Sequence, residues 1–291
     1  VPDPEVAGVL RSYSSPLCSL ESDTPLSCLD LLGCSLTHEL CYTSLLFLLD
    51  LAGIPLRASQ RSEAHPLVLG GGDAMYNPEP VAPFLDAVLV GDGESAVLEI
   101  SDLFLLSQDR SWPRERLLRG LAEIDGVYVP SLFGENESGR PGNKDLPAQR
   151  VERRIRAELC GEQYPARQIV PFGRAVHDRL NIEIARGCTR GCRFCLAGTT
   201  QRPVRERPVE QIRELLRRGL EETGYEDVSF LSLSSGDFSQ LERLFTDSFS
   251  LCREKRASIS LPSLRAGSVS PALMQLMASL KRTGVTLAPE A

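Results

Sequence analysis

Arg186-Gly187-Cys188-Thr189-Arg190-Gly191-Cys192-Arg193-Phe194-Cys195 places three cysteines within eight residues, at Cx3Cx2C spacing. Nine cysteines spread over 291 residues would put far fewer than one in such a window, so the three read as ligands of one inorganic centre. Thiolates are the natural ligands of iron–sulfur clusters, and a cuboidal four-iron cluster has four corners. Three cysteines leave one iron open, and an open position at a metal centre is where a small molecule binds and reacts. Zinc with a fourth ligand elsewhere, or buried cysteines holding no metal, are the competing readings, although zinc ligands typically come as closer pairs.

The flanks of this loop set the fold. Leu180 to Ile184 alternates like a strand, and Pro208 to Glu222 carries an apolar stripe of Ile212, Leu215, Leu216 and Leu220 at helical spacing. The loop is therefore expected at the C-terminal end of a strand, before a helix, where α/β barrels place their chemistry. Arg186, Arg190 and Arg193 surround the thiolates, and positive charge lowers cysteine pKa and offsets an anionic cluster. Gly187, Gly191 and Gly198 allow a tightly wrapped loop. Further on, the pattern repeats as strand 227–233, helix 238–253, strand 258–261, helix 271–282 and strand 285–287.

The first half alternates too. Leu29 to Leu36 reads as a buried parallel strand and Tyr42 to Ala52 as a helix closed by Gly53. Strands at 67–69 and 87–90 run into Gly70-Gly71-Gly72 and Gly91-Asp92-Gly93-Glu94, with a helix from Ala96 to Leu106 after the second. This is a doubly wound pattern, whose ligand crevice lies at the C-terminal strand ends. Neither turn matches a dinucleotide fingerprint or a phosphate loop ending in Gly-Lys-Ser/Thr. Between the halves, a short helix over 113–124 and β runs at 126–133 and 149–155 are expected, the runs joined into a hairpin by 134–147. The domain organisation expected is thus 1–106, a connecting segment 107–179, and 180–291.

Composition narrows the classes without excluding a nucleic-acid partner. Net charge is −7, which gives no global case for nucleic-acid binding, and the most apolar run, Leu45 to Ile54, is too short to span a membrane. Reduced thiols at a cluster loop suit the cytoplasm. Of the local arginine groups, Arg150, Arg153, Arg154 and Arg156 read as a solvated or ion-paired surface. Arg202, Arg205 and Arg207 follow the cysteine loop closely enough to suggest a place near anionic cofactors.

The cysteine loop, with aromatic Phe194 before its third cysteine, resembles the signature of the radical S-adenosylmethionine (SAM) superfamily. A Rossmann-like domain ahead of it resembles the cobalamin-binding class. Residues 35–43, 49–56, 77–80, 126–132, 177–180 and 202–207 together are similar to a bacterial family of cobalamin-binding-domain radical SAM proteins, over nearly the whole chain. The resemblance implies an α/β protein: a partial Rossmann-like domain followed by part of a (β/α)6 barrel, with about four β/α units. It also implies that the chain is a fragment lacking both ends.

For the site, the resemblance implies a [4Fe-4S] cluster on Cys188, Cys192 and Cys195. SAM would be held by the open iron and lie near Phe194, Ser235, Gly236, Asp237, Ser263, Arg265 and Glu290. In that scheme Asp237 meets the methionine amino group, Arg265 its carboxylate and Glu290 the ribose. Cobalamin would lie near His38, Gly70, Gly71, Gly72, Gly91, Gly93 and Glu94, without the Asp-x-His-x-x-Gly motif that supplies a lower cobalt ligand in many cobalamin proteins. The activity implied is reductive cleavage of SAM to a 5′-deoxyadenosyl radical, with methyl transfer from the corrinoid to a carbon radical, fed by an electron donor such as flavodoxin or ferredoxin. Radical chemistry without methylcobalamin, such as RNA methylthiolation or ring formation, and a non-catalytic corrinoid or redox sensor, stand as the alternatives. The substrate is not legible.

Overall fold

The computed structural model describes residues 2–135, 141–143, 151–159, 164–165, 168–171, 173, 175–265, 267–268, 270–271 and 273–275. Its contacts divide the chain into two compact units, 1–155 and 156–291.

The first unit opens with α1 (Pro4–Ser12), then alternates β1 (Leu31–Ser35), α2 (Cys41–Leu51), β2 (Leu67–Gly71), β3 (Ala87–Leu89), α3 (Ala96–Asp109), α4 (Arg114–Leu121) and β4 (Val127–Tyr128). The sheet order is β1-β2-β3-β4, with the first three strands parallel and β4 antiparallel to β3. Side chains alternate across a strand, and here the alternation fills two cores. Val68 and Val88 face one with Leu45 and Leu49 of α2; Leu67 and Ala87 face the other with Ile100 of α3 and Leu117 and Leu121 of α4. Covering both faces explains why these strands are continuously apolar rather than alternating with polar residues.

Two expectations are corrected. Among the described residues, 126–133 and 151–155 do not pair as the two strands of a hairpin. The first run supplies β4 at the edge of the sheet, and β5 (Phe133–Glu135) turns back onto β6 (Pro141–Asn143) instead. Part of the second run closes on the sheet, with Arg154 bridging in parallel to Gly91. Residues 114–128, expected in a connecting segment, therefore belong to the first unit.

In the second unit, β7 (Leu180–Glu183) leads into a two-stranded hairpin of β8 (Ala185–Arg186) and β9 (Arg205–Glu206), with the short α5 (Ala197–Thr200) between them. Then follow α6 (Val209–Thr223), β10 (Asp227–Leu231), α7 (Leu241–Glu254) and β11 (Ser258–Ser260). The parallel sheet runs β11-β10-β7. Pro208 precedes α6, and Gly224 ends it in the left-handed conformation, φ +69°, that glycine adopts without steric cost. The buried stripe of α6 is Val209, Ile212, Leu216 and Leu220, packed with Leu180, Ile182, Phe230 and Phe245 in one core. No closed barrel is formed among the described residues, and the expected strand at 285–287 lies outside them.

Candidate functional site

Buried Leu180, Ile182 and Ile184 anchor β7, and the chain leaves it as the β8–β9 hairpin with the cysteine loop as its tip. Gly187 makes the turn. At φ +92° it sits where a side chain would be strained, and an added Cβ would stand 2.4 Å from the carbonyl oxygen of Gln201 and 2.7 Å from that of Pro203. Cys188, Cys192 and Cys195 follow, all partly exposed and none in a disulfide. The Arg190 backbone N–H faces the Cys188 Sγ at 3.4 Å, and the Cys195 N–H donates to the Cys192 carbonyl at 3.0 Å.

Among the described residues, no three His, Cys, Asp or Glu side chains converge on a point where a single ion would sit. The donor set itself suits an iron–sulfur cluster: three thiols on one partly exposed loop, a backbone N–H directed at one sulfur, and guanidinium charge beside them. A cuboidal cluster presents separate irons to separate thiolates, so its ligands need not converge.

Above β10, the Ser234-Ser235-Gly236-Asp237 turn meets this loop. Asp237 Oδ2 accepts from Arg190 Nε at 2.7 Å and from the Ser234 hydroxyl at 2.7 Å, and Oδ1 accepts from Arg190 Nη2. The guanidinium hydrogen bond holds the Asp237 carboxyl below the usual carboxylate range, with the charge of Arg265 adding in the same direction. Ser235 is fully buried and bonds the Ser232 hydroxyl at 3.0 Å. Gly236 lies against Ser268, whose Oγ is 2.3 Å from where a Cβ would be. The structure thus brings the cysteine loop together with Asp237, and Arg265 within electrostatic reach. Phe194 is 73% exposed, Ser263 is exposed with φ +59°, and Glu290 lies outside the described residues.

Two of the three arginines after the loop take a different role from the one expected. Arg205 and Arg207 are buried; Arg205 Nη1 donates to the Arg156 carbonyl at 2.8 Å, and Arg207 donates to the carbonyls of Glu183 and Leu159 at 3.0 and 3.1 Å. They brace backbone rather than face a cofactor. Arg186 likewise grips Glu183 in a two-pronged contact at 2.9 Å. Glu206, unremarked in the sequence, receives the Ser239 N–H at 2.7 Å and ties β9 to the approach of α7.

In the first unit, the residues expected to face a corrinoid cluster at the C-terminal strand ends. Exposed His38 follows β1, with its Nδ1 3.6 Å from Cys41 Sγ. The glycines are largely engaged by the chain itself. A Cβ on Gly70 would strike Leu85, one on Gly72 the Leu36 carbonyl at 2.6 Å, and one on Gly91 the Arg154 carbonyl at 2.1 Å. Gly93 lies 3.3 Å from Leu89 by the same measure, Glu94 is partly buried, and Gly71 has open space. Arg154 forms an ion pair with Glu99, as expected for that arginine group.

Comparison with known proteins bears on both units. Residues 1–130 match the family model for radical SAM proteins, N-terminal, and residues 182–291 match that of the radical SAM superfamily. Residues 182–291 form a radical SAM superfamily domain. An uncharacterized protein of Methanocaldococcus jannaschii is 30% identical to this chain over 226 residues, 77% of the chain and 42% of that protein. Two solved structures of TsrM from Kitasatospora setae superpose with a TM-score of 0.55 over 98% of the chain, at 14% and 13% identity. One is described as a radical SAM methyltransferase with cobalamin and a [4Fe-4S] cluster bound, the other with tryptophan substrate and the SAM analogue aza-SAM. At that identity the likeness is one of fold. The chain spans 42% of the length of that curated relative and about half that of the solved chains. No helix among the described residues is long and apolar enough to cross a membrane.

Proposed function

We propose that the second unit assembles a [4Fe-4S] cluster on Cys188, Cys192 and Cys195 for the reductive cleavage of SAM, in an enzyme that works with cobalamin to transfer a methyl group to carbon. The observation that carries this reading is the place of the Cx3Cx2C loop, beyond the C-terminal end of a parallel strand in the segment that matches the superfamily model. When bound, such a cluster supplies the electron that splits SAM into methionine and a 5′-deoxyadenosyl radical, which then takes a hydrogen from the substrate.

The chain's own residues bind and orient. Gly187 turns the loop and the Arg190 N–H directs itself at the first thiolate. Arg265 has the planar, two-pronged donor set that suits the methionine carboxylate. Gly236 and Ser263 supply backbone and hydroxyl groups at the strand ends, Phe194 an aromatic face, and Glu290 a carboxylate for the ribose, while buried Ser235 supports the turn from behind through Ser232. An electron donor of the flavodoxin or ferredoxin type completes the proposal.

The fit to cobalamin is partial. Gly71 and His38 are open at the crevice, whereas Gly70, Gly72 and Gly91 are closed by the chain's own atoms, so no catalytic step is assigned to them here. Cobalamin enters the proposal through the fold shared with TsrM.

Anaerobic reconstitution tests the reading. It should give about four iron per chain and an absorption spectrum altered by SAM, with the cluster lost in Cys192→Ala. One tightly held zinc per chain, or a cluster that survives Cys192→Ala, would overturn it. Retention of hydroxocobalamin on gel filtration tests the corrinoid separately.

A further inference from the structure

Asp237 and Arg190 lie 47 residues apart in sequence and close on each other through both carboxylate oxygens. The arginine is held at two further points. Its N–H faces the Cys188 sulfur at 3.4 Å, and its carbonyl oxygen rests against Gly198, where a Cβ would come within 3.0 Å. Its side-chain charge lies within electrostatic reach of Cys188 and Cys192. With Oδ2 shared between Arg190 and Ser234 and Oδ1 given to Arg190, the carboxylate has each oxygen already engaged.

We infer that Arg190 and Asp237 form a clasp that places the cysteine loop and sets the electrostatic field at its cluster, making Asp237 a positioning residue that acts through Arg190 rather than a direct holder of SAM. This rests on the cluster reading above. The physical content is charge balance. Cluster potentials respond to net charge and hydrogen bonding at the sulfurs, and Asp237 offsets the cation beside two of the three thiolates. Asp237→Asn keeps an acceptor for Arg190 and removes the offsetting charge, which favours the reduced, more anionic cluster. Arg190→Gln keeps a donor for Asp237 and removes the nearer of the two cations that offset the carboxylate, leaving Arg265; the loss disfavours that reduced state.

The experiment is a dithionite titration with redox mediators, followed by electron paramagnetic resonance, on the anaerobically reconstituted chain without SAM. The clasp predicts that the midpoint potential rises in Asp237→Asn, falls in Arg190→Gln, and returns toward the wild-type value in the double variant. A SAM-free potential unchanged in Asp237→Asn, with only SAM affinity weakened, would overturn it, because a direct SAM ligand behaves that way. Should either variant take up no iron, Arg190→Lys decides: its iron occupancy should drop and be partly rescued by Asp237→Glu, whose longer arm reaches the ammonium. No rescue counts against the clasp. Failure of the unmodified chain to hold a cluster would instead sink the functional reading beneath it.

Discussion

Gly91 and Arg154 meet backbone to backbone at the end of β3, where the Asp92 N–H donates to the Arg154 carbonyl at 3.0 Å and the Arg154 N–H donates to the Val90 carbonyl at 2.9 Å. The contact explains why residue 91 is glycine. Its φ of +113° is a conformation that residues with a side chain rarely adopt, and its side-chain direction is filled by backbone. Gly91→Ala should destabilise the first unit by about 2 to 3 kcal/mol, the scale of a strained backbone position. Urea unfolding should show a lower midpoint at unchanged slope. Gly71→Ala, with open space around it, should shift the midpoint far less.

Asp86 is a second fixed point of that unit. Its side chain is 2% exposed and receives Arg61 Nη1 at 2.7 Å, the Val68 N–H at 2.8 Å and Arg114 Nη2 at 3.0 Å. Asp86→Ala strands buried guanidinium charge, and removing one partner of a buried pair costs about 3 to 5 kcal/mol. Thermal unfolding of Asp50→Ala, which breaks the exposed Arg11–Asp50 pair, serves as the control and should show a loss under about 1 kcal/mol.

For the cysteine loop, Gly187→Ala is the informative change. The added methyl group would press on the carbonyls of Gln201 and Pro203 and displace Cys188, the first of the proposed ligands. Iron per chain after reconstitution should fall at least several-fold, while far-ultraviolet circular dichroism stays near that of the parent, since the buried core of the unit lies behind β7. Full iron loading in this variant would show that the turn has no bearing on ligand placement.

Thiol reactivity should separate the cysteines of the iron-free chain. Burial pushes the Cys252 thiol up to about 12 and the Cys34 thiol up to about 11. At pH 8 alkylation should therefore reach exposed Cys28 and partly exposed Cys188 and Cys195 well before Cys252, as read by mass spectrometry of timed samples. The same shifts carry a sign for stability. Both thiols keep their protons in the folded state after the unfolded chain has lost them, so their contribution is intact below about pH 8.5 and declines as pH rises through the folded values. An unfolding midpoint that stayed level from pH 8 to 11 in a Cys-for-Ser comparison at 252 would contradict this.

Much of the architecture was legible because these strands are short apolar runs ending in glycine or serine turns. β1, β2, β3, β7, β10 and β11 all fall where such runs stand, and the α6 stripe repeats at helical spacing. Partners were less legible than elements. The β character of 126–133 was readable, but nothing local says that Val127 and Tyr128 pair with β3 rather than with residues beyond 149. Arg205 and Arg207 look like surface or cofactor cations until backbone carbonyls are brought around them by folding. The Arg190–Asp237 contact joins residues 47 apart, each of which the sequence marked alone.

The β8–β9 hairpin gives the cysteine loop a closed neck, with Ala185 paired to Glu206 and Arg186 to Arg205. Everything that would touch iron lies on the far side of that neck from the buried core. Assembly and loss of the metal are therefore local events at a rim, and the fold behind should outlast them. A purified, colourless chain should be a folded vessel ready for refilling, so that cluster loss in handling is reversed by a thiol reductant with fresh iron and sulfide, without a refolding step.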